Sequence, residues 1–82
     1  MLKESEKEIE PVLREFKRRM KEKGIPERAV NKIIELQKMN IESKARKIKD
    51  KEERKKFEVE YMKDFIKRYE RWVEVASEAL VE

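Results

Sequence analysis

The stretch KEKGIPE, residues 21–27, decides how this chain folds, because it holds the only glycine and one of the two prolines. Gly24 favours the left-handed conformation that ends a helix, and Ile25 can pack back onto Met20, as in a Schellman motif. Pro26 suits the first position of a helix, where no backbone N–H is needed. The stretch therefore predicts the end of one helix and the start of a second at Pro26.

Upstream of this stretch, apolar side chains recur at the three- and four-residue spacing of one helix face. They are Ile9, Val12, Leu13, Phe16 and Met20. The start of the helix is ambiguous, since Ser5 followed by Glu8 is typical of a capping box, whereas Pro11 interrupts a helix that begins so early. Either the regular helix begins near Glu8 to Glu10, with Pro11 in its first turn, or it begins near Leu2 and kinks. We expect a helix over about residues 3–23, with a kink or a frayed start near Pro11.

Downstream, Asp50 followed by Glu53 is a second helix-start signal, with Asp50 as the N-cap. It divides the remaining chain into helices at about 26–48 and 51–81. The alternative is one continuous helix over 26–82, which would make a two-helix hairpin that has to dimerise. We favour the break, which predicts an all-α fold: a single domain over 1–82, built as an antiparallel up-down-up three-helix bundle.

The predicted third helix carries two apolar stripes. Aromatic residues recur every four positions in a ladder formed by Phe57, Tyr61, Phe65 and Tyr69, with Trp72 beside them. The second stripe consists of Met62, Ile66, Val73 and Leu80. Together they make a wide apolar face, which predicts contact with both other helices. We expect the aromatic ladder to be core, with Tyr61, Tyr69 and Trp72 at its margin.

The third helix is also predicted to outrun the second, by about 12 Å at 1.5 Å per residue. Apolar residues in this overhang must pack under the first loop, contact another chain or fray. They are Val75, Ala76, Ala79, Leu80 and Val81. Self-association through the overhang is therefore one expectation for a partner.

Composition restricts the function more than it identifies it. Charged residues make up 51% of the chain, and it has neither cysteine nor histidine. The sequence thus lacks the usual catalytic thiolate and general base, and the commonest zinc ligands. We expect no catalytic residues, metal or cofactor. No apolar run reaches the length of a membrane span and no targeting signal is visible, so we expect a soluble, cytoplasmic protein, or no native compartment if it is designed.

A basic run covers residues 44–56, with eight Lys or Arg and three acidic residues. Clustered positive charge is typical of phosphate binding. However, the bundle places this run beside the acidic N-terminal segment, which favours charge compensation within the fold. The nucleic-acid contacts that the run would supply are Lys44, Arg46 and Lys47.

The segment Gly24–Ile33 resembles the turn and recognition helix of helix-turn-helix DNA-binding proteins. A plain helical hairpin accounts for the same residues. The groove-facing contacts that the resemblance implies are Arg28, Asn31 and Lys32.

The chain as a whole resembles computationally designed or engineered three-helix bundles. This resemblance rests on its helix-boundary signals and charged outer faces, and implies a stable, non-enzymatic scaffold that presents a helix face to a protein partner. The Lys and Glu enrichment also occurs in hyperthermophiles, so the alternative is a small, thermostable nucleic-acid-binding module. Nucleic acid is the less favoured partner. The candidate protein-binding residues are Leu36, Met39, Asn40, Tyr61 and Trp72.

Overall fold

Three helices make up the computed structural model, which describes the backbone of residues 1–81 and the side chains of residues 1–79. They are α1 (Lys3–Glu22), α2 (Glu27–Ala45) and α3 (Lys51–Val81). The molecule measures 49 × 19 × 16 Å. Because 20 and 19 residues make helices about 30 and 28 Å long, α1 and α2 must both lie along its long axis. The predicted all-α three-helix bundle is confirmed.

The core is a single apolar cluster to which each helix contributes one stripe. The buried apolar residues are Ile9, Leu13, Phe16 and Met20 of α1, Val30, Ile34, Ile41 and Ala45 of α2, and Val59, Met62, Ile66 and Val73 of α3. Phe16 is fully buried and meets the ring of Tyr69 edge-on, with 5.7 Å between the ring centroids. The rings of the aromatic ladder in α3 therefore pack against the core, but they are only partly buried themselves.

The end of α1 has the predicted Schellman geometry. Gly24 adopts a φ of +83°, and its N–H donates to the carbonyl of Lys21 at 3.0 Å. The N–H of Ile25 donates to the carbonyl of Met20, also at 3.0 Å. Pro26 is the N-cap of α2 and not its first residue, because its ψ of 137° is extended. Its carbonyl accepts from the amides that follow at residues 29 and 30.

The break between α2 and α3 lies at residues 46–50, so the single-helix alternative is wrong. The Oδ1 atom of Asp50 accepts from the backbone N–H groups of Glu52, at 2.9 Å, and Glu53, at 3.2 Å. Asp50 is therefore the predicted N-cap. α2 ends at Ala45, three residues earlier than predicted, because a reversal without glycine is spread over several residues.

The start of α1 differs from the predicted capping box. The helix begins at Lys3 and continues through Pro11, which is exposed, so that the carbonyl deprived of its usual donor can reach water. Ser5 is fully buried inside the helix and is not its cap. Its hydroxyl donates to Oε1 of Glu58 in α3 at 2.7 Å.

Glu58 caps α1 from a different helix. Its side chain is fully buried, and its Oε1 also accepts from the backbone N–H of Leu2, the N-cap residue of α1, at 3.1 Å. Arg54 Nε lies 3.3 Å from the other carboxylate oxygen. A carboxylate at a helix N-terminus also interacts favourably with the helix dipole. The buried acid is therefore paired, as buried charges require.

The amine of Met1 is held beside α2, where it donates to Oε1 of Glu42 at 2.8 Å. The hydrogen bond and the positive charge of this amine hold the pKa of the Glu42 carboxyl below its ordinary value. Because the folded-state pKa is the lower one, the pair stabilises the fold above the unfolded pKa. This stabilisation is lost as the pH falls through the folded pKa.

We expect an NMR titration to place the Glu42 midpoint below that of an ordinary glutamate, about 4.3. Acetylation of the Met1 amine should move the midpoint upward, because it removes the cation. Glu15 is the internal control: its pKa is lowered by a hydrogen bond from Arg18, which acetylation does not touch. An unchanged Glu42 midpoint after acetylation would contradict the pairing.

Candidate functional site

Two surface grooves lie along α3, and they differ in chemistry. The larger, about 740 Å³, runs between α1 and α3 and is lined by four glutamates, four lysines and Val59. Within it Lys51 Nζ lies 3.7 Å from Glu4 and Lys55 Nζ 3.3 Å from Glu8. These pairs neutralise part of the basic run, as charge compensation within the fold predicts. Eight of its nine lining residues are charged and none is aromatic.

The smaller groove, about 450 Å³, lies between α2 and α3 and is mostly aromatic. We call it the aromatic groove. It is lined by Gln37 and Asn40 of α2 and by Tyr61, Phe65, Arg68, Tyr69 and Trp72 of α3. Removal of aromatic surface from water is the strongest general source of binding free energy among these groups, so we take this groove as the candidate site.

The rings line up because a four-residue spacing keeps side chains on one helix face. The centroids of Phe65 and Tyr69 are 5.7 Å apart, and those of Tyr69 and Trp72 are 6.1 Å apart. The prediction that this ladder belongs to the core is only partly right. The core stripe of α3 is the buried one that contains Met62. The ladder residues, by contrast, are half-buried along the groove.

Trp72 departs furthest from the sequence prediction. It was expected at the core margin, yet 66% of its surface is exposed. Val75, one turn further along α3, is 58% exposed. The predicted overhang is thus apolar and uncovered at Val75, and Ala79 is exposed as well. The side chains predicted at Leu80 and Val81 lie outside the described residues.

Cations border the aromatic groove. Lys44 Nζ donates to the hydroxyl of Tyr61 at 3.3 Å and lies 5.0 Å from the centroid of its ring. Arg68 Nε lies 3.1 Å from Oδ2 of Asp64. Positive charge therefore lies beside Tyr61 and within the lining at Arg68, where Asp64 is its ion-pair partner.

Three of the five predicted partner-binding residues line this groove: Asn40, Tyr61 and Trp72. Leu36 is exposed one turn before Asn40 on the same side of α2, next to the groove but outside its lining. Met39 is exposed about 100° around the helix from Asn40. The predicted set is therefore one groove with Leu36 at its edge, while Met39 lies further around α2, away from the groove.

Four further residues line the groove that were not predicted as site residues from the sequence: Gln37, Phe65, Arg68 and Tyr69. Phe65 was expected in the core and Tyr69 at its margin. The spacing of residues along α3 could have indicated Phe65 and Arg68, since Tyr61, Phe65, Arg68 and Trp72 follow one another at spacings of four, three and four. That spacing places all of them on one side of α3.

The predicted nucleic-acid contacts lie in two separate groups. Arg28, Asn31 and Lys32 are exposed near the start of α2, whereas Lys44, Arg46 and Lys47 are exposed near its end. Sixteen residues of helix separate Arg28 from Lys44, a rise of about 24 Å. A helix-turn-helix motif also requires its two helices to cross at about 90–120°, but here α1 and α2 share the long axis of the molecule.

The described residues contain no group of three acidic side chains that would suit a metal ion. None of the helices, over the part of the chain that the structure covers, combines the length and apolar character of a membrane span. The candidate site is therefore a surface groove built from aromatic, amide and cationic groups.

Comparison with known proteins gave no match to a family model, to a curated protein or to a solved structure.

Proposed function

We propose that the protein is a non-enzymatic helical scaffold that binds an amphipathic helix of a protein partner in the aromatic groove. The exposure of Trp72 carries this proposal, because 66% of the largest apolar side chain lies uncovered beside three half-buried rings. Contiguous exposed apolar surface marks interaction sites. Tryptophan and tyrosine are also the side chains most enriched among residues that dominate binding energy.

The framework beneath the groove supports this function. Tyr69 lines the groove and packs edge-on against the fully buried Phe16 of α1. The floor of the groove is therefore fixed by the core, and a ligand need not order it. Such preorganisation reduces the entropic cost of binding. A helix laid along this floor would cover Trp72 and Leu36 together.

The charges favour a partner helix that carries acidic residues beside its apolar stripe. Lys44 contacts Tyr61 at one end of the groove, Arg68 is part of its lining, and no carboxylate is among its lining residues. Charge complementarity of this kind raises the association rate and selects among partners. The lining groups are amides, phenols, an indole and a guanidinium, which support recognition better than nucleophilic or general acid–base catalysis.

Trp72 is the only tryptophan of the chain, so its fluorescence reports directly on the groove. The probe is a tryptophan-free synthetic helix with leucines at i, i+3, i+4 and i+7 and glutamates on both flanks. We expect a saturable blue shift of the Trp72 emission, with a Kd of about 1–100 µM. The same peptide with lysines on its flanks should bind about tenfold more weakly, because Lys44 and Arg68 repel it.

Two variants with matched surface changes separate the groove from unspecific binding. Leu36→Ala should raise the Kd of the acidic peptide several-fold, whereas Met39→Ala, on another face of α2, should leave it unchanged. No saturable shift with the acidic peptide, or an equal effect of the two variants, would contradict the proposal. Salt-sensitive binding of duplex DNA without binding of the peptide would contradict it in favour of the nucleic-acid alternative.

A further inference from the structure

The groove-facing stripe of α3 continues beyond the bundle. From Tyr61 it runs at spacings of four, three, four, three and four residues, the alternation of a coiled-coil seam. The members of this seam are Tyr61, Phe65, Arg68, Trp72, Val75 and Ala79. From Arg68 onward every member is exposed. The protein thus presents a helix seam that no helix of its own covers.

The length of α3 explains why the seam lacks a partner in the chain. α3 has 31 residues, against 20 in α1 and 19 in α2. Val73 is its last buried core residue among those described, so residues 74–81 extend about 12 Å further. A second long helix of the same kind would match the seam over its whole length.

We propose that the occupant of the aromatic groove is a second copy of this chain, whose α3 packs antiparallel against the first across a two-fold axis near Lys67. This inference rests on the proposed function of the groove and names its partner. The axis passes through the middle of α3, so the stretch from Tyr61 to Trp72 of each copy lies against the same stretch of the other. A two-fold interface is self-complementary, and each contact occurs twice.

Charge on the flank of the seam favours the antiparallel direction. Asp64 and Arg71 lie seven residues apart on the same outer edge, and both are exposed. In an antiparallel pair of seams such edges face each other, so Asp64 of each copy meets Arg71 of the other. A parallel pair would instead place the acidic overhangs side by side, with Glu74 and Glu78 of both copies together. Antiparallel packing separates them at opposite ends.

The same arrangement matches the apolar and aromatic groups. Trp72 of one copy lies over Tyr61 of the other, and Val75 lies near Phe57. At the centre, Arg68 of each copy meets the ring of Phe65 in the other, an arrangement in which guanidinium and aromatic groups attract. The exposed members of the seam thereby gain partners that the isolated chain does not supply.

Sedimentation equilibrium of the full chain tests the proposal over about 5–500 µM. We expect a reversible dimer, with a Kd in the micromolar range. Val75→Glu should raise this Kd at least about tenfold, because it places charge in the seam. Met39→Glu, an equally exposed apolar position on another face, should leave it unchanged.

A charge swap tests the direction. Asp64→Arg and Arg71→Asp should each raise the dimer Kd, whereas the double variant should restore it, since both reciprocal pairs are rebuilt with reversed sign. A monomer at the highest concentration overturns the proposal, as does a dimer that Val75→Glu leaves intact or that the double variant fails to restore. Acidic-peptide binding by a chain that stays monomeric would overturn this inference alone and leave the proposed function standing.

Discussion

Replacement of Phe16 by alanine is expected to lower the free energy of unfolding by about 3–5 kcal/mol, the range for deletion of a fully buried aromatic side chain. Phe16 is completely inaccessible to solvent and belongs to the core cluster that the three helices form together. Its loss leaves a cavity and removes the edge-on contact with Tyr69. Urea or guanidinium unfolding, followed by circular dichroism, measures the change.

A domain of this size has little stability to spare, so Phe16→Ala risks unfolding the chain altogether. Phe16→Leu keeps most of the apolar volume and should cost less, with a clear but smaller shift of the transition midpoint. Leu36→Ala, at an exposed position of α2, should change the stability by less than about 0.5 kcal/mol. Equal losses of unfolding free energy for Phe16→Ala and Leu36→Ala would contradict the placement of Phe16 in the core.

Replacement of Glu58 by alanine is expected to cost roughly 2–4 kcal/mol, although a helix-surface glutamate usually costs very little. The buried Ser5 hydroxyl and the partly buried Leu2 N–H would both lose the acceptor that they have among the described residues. An unsatisfied buried donor costs about 1–3 kcal/mol, and the partly buried N–H adds less. Arg54 is partly exposed and can regain water, so it adds less. Thermal and denaturant unfolding at neutral pH measure the loss.

Glu58→Gln separates the hydrogen bonds from the charge. Its amide oxygen can still accept from Leu2 and Ser5, so about 1 kcal/mol of loss is expected, chiefly from the weakened contact with Arg54. Glu60→Ala, two residues further along and exposed, is the matched control. If Glu58→Ala proved no more harmful than Glu60→Ala, the carboxylate would not be the cap of α1.

The helix boundaries that depend on neighbouring residues could be predicted from the sequence. Gly24 and Asp50 act on backbone groups within a few positions of themselves, through a left-handed turn and an N-cap hydrogen bond. Their residue types are strongly restricted by those local geometries. The group that caps α1 could not be predicted in this way, because Glu58 lies 53 positions from Ser5 along the chain.

The capping role of Glu58 could not be predicted for a related reason. A glutamate between Phe57 and Val59 is indistinguishable in periodicity from the many glutamates on the outer faces, and only the arrival of α1 makes its position internal. The local capping pattern at Ser5 and Glu8 is present in the sequence, but it does not cap the helix in the structure. Ser5 contributes more by donating to a buried carboxylate than it would by capping its own helix.

Only part of the candidate site could be predicted from the sequence. The four-residue spacing from Tyr61 to Tyr69 placed the rings on one face, but spacing alone does not say how far a neighbouring helix covers that face. Coverage depends on where α2 lies, and its Gln37 and Asn40 border the rings without enclosing them. Trp72 is therefore much more exposed than its residue type suggests.

The contact between Ser5 and Glu58 has a kinetic consequence. It closes a loop of more than half the chain, so its entropic cost is met only when α3 reaches α1. The first turn of α1 cannot be completed before that moment, and any opening of α3 near Glu58 releases it again. We therefore expect the first turn of α1 and the N-terminal part of α3 to order and disorder together, as one cooperative unit.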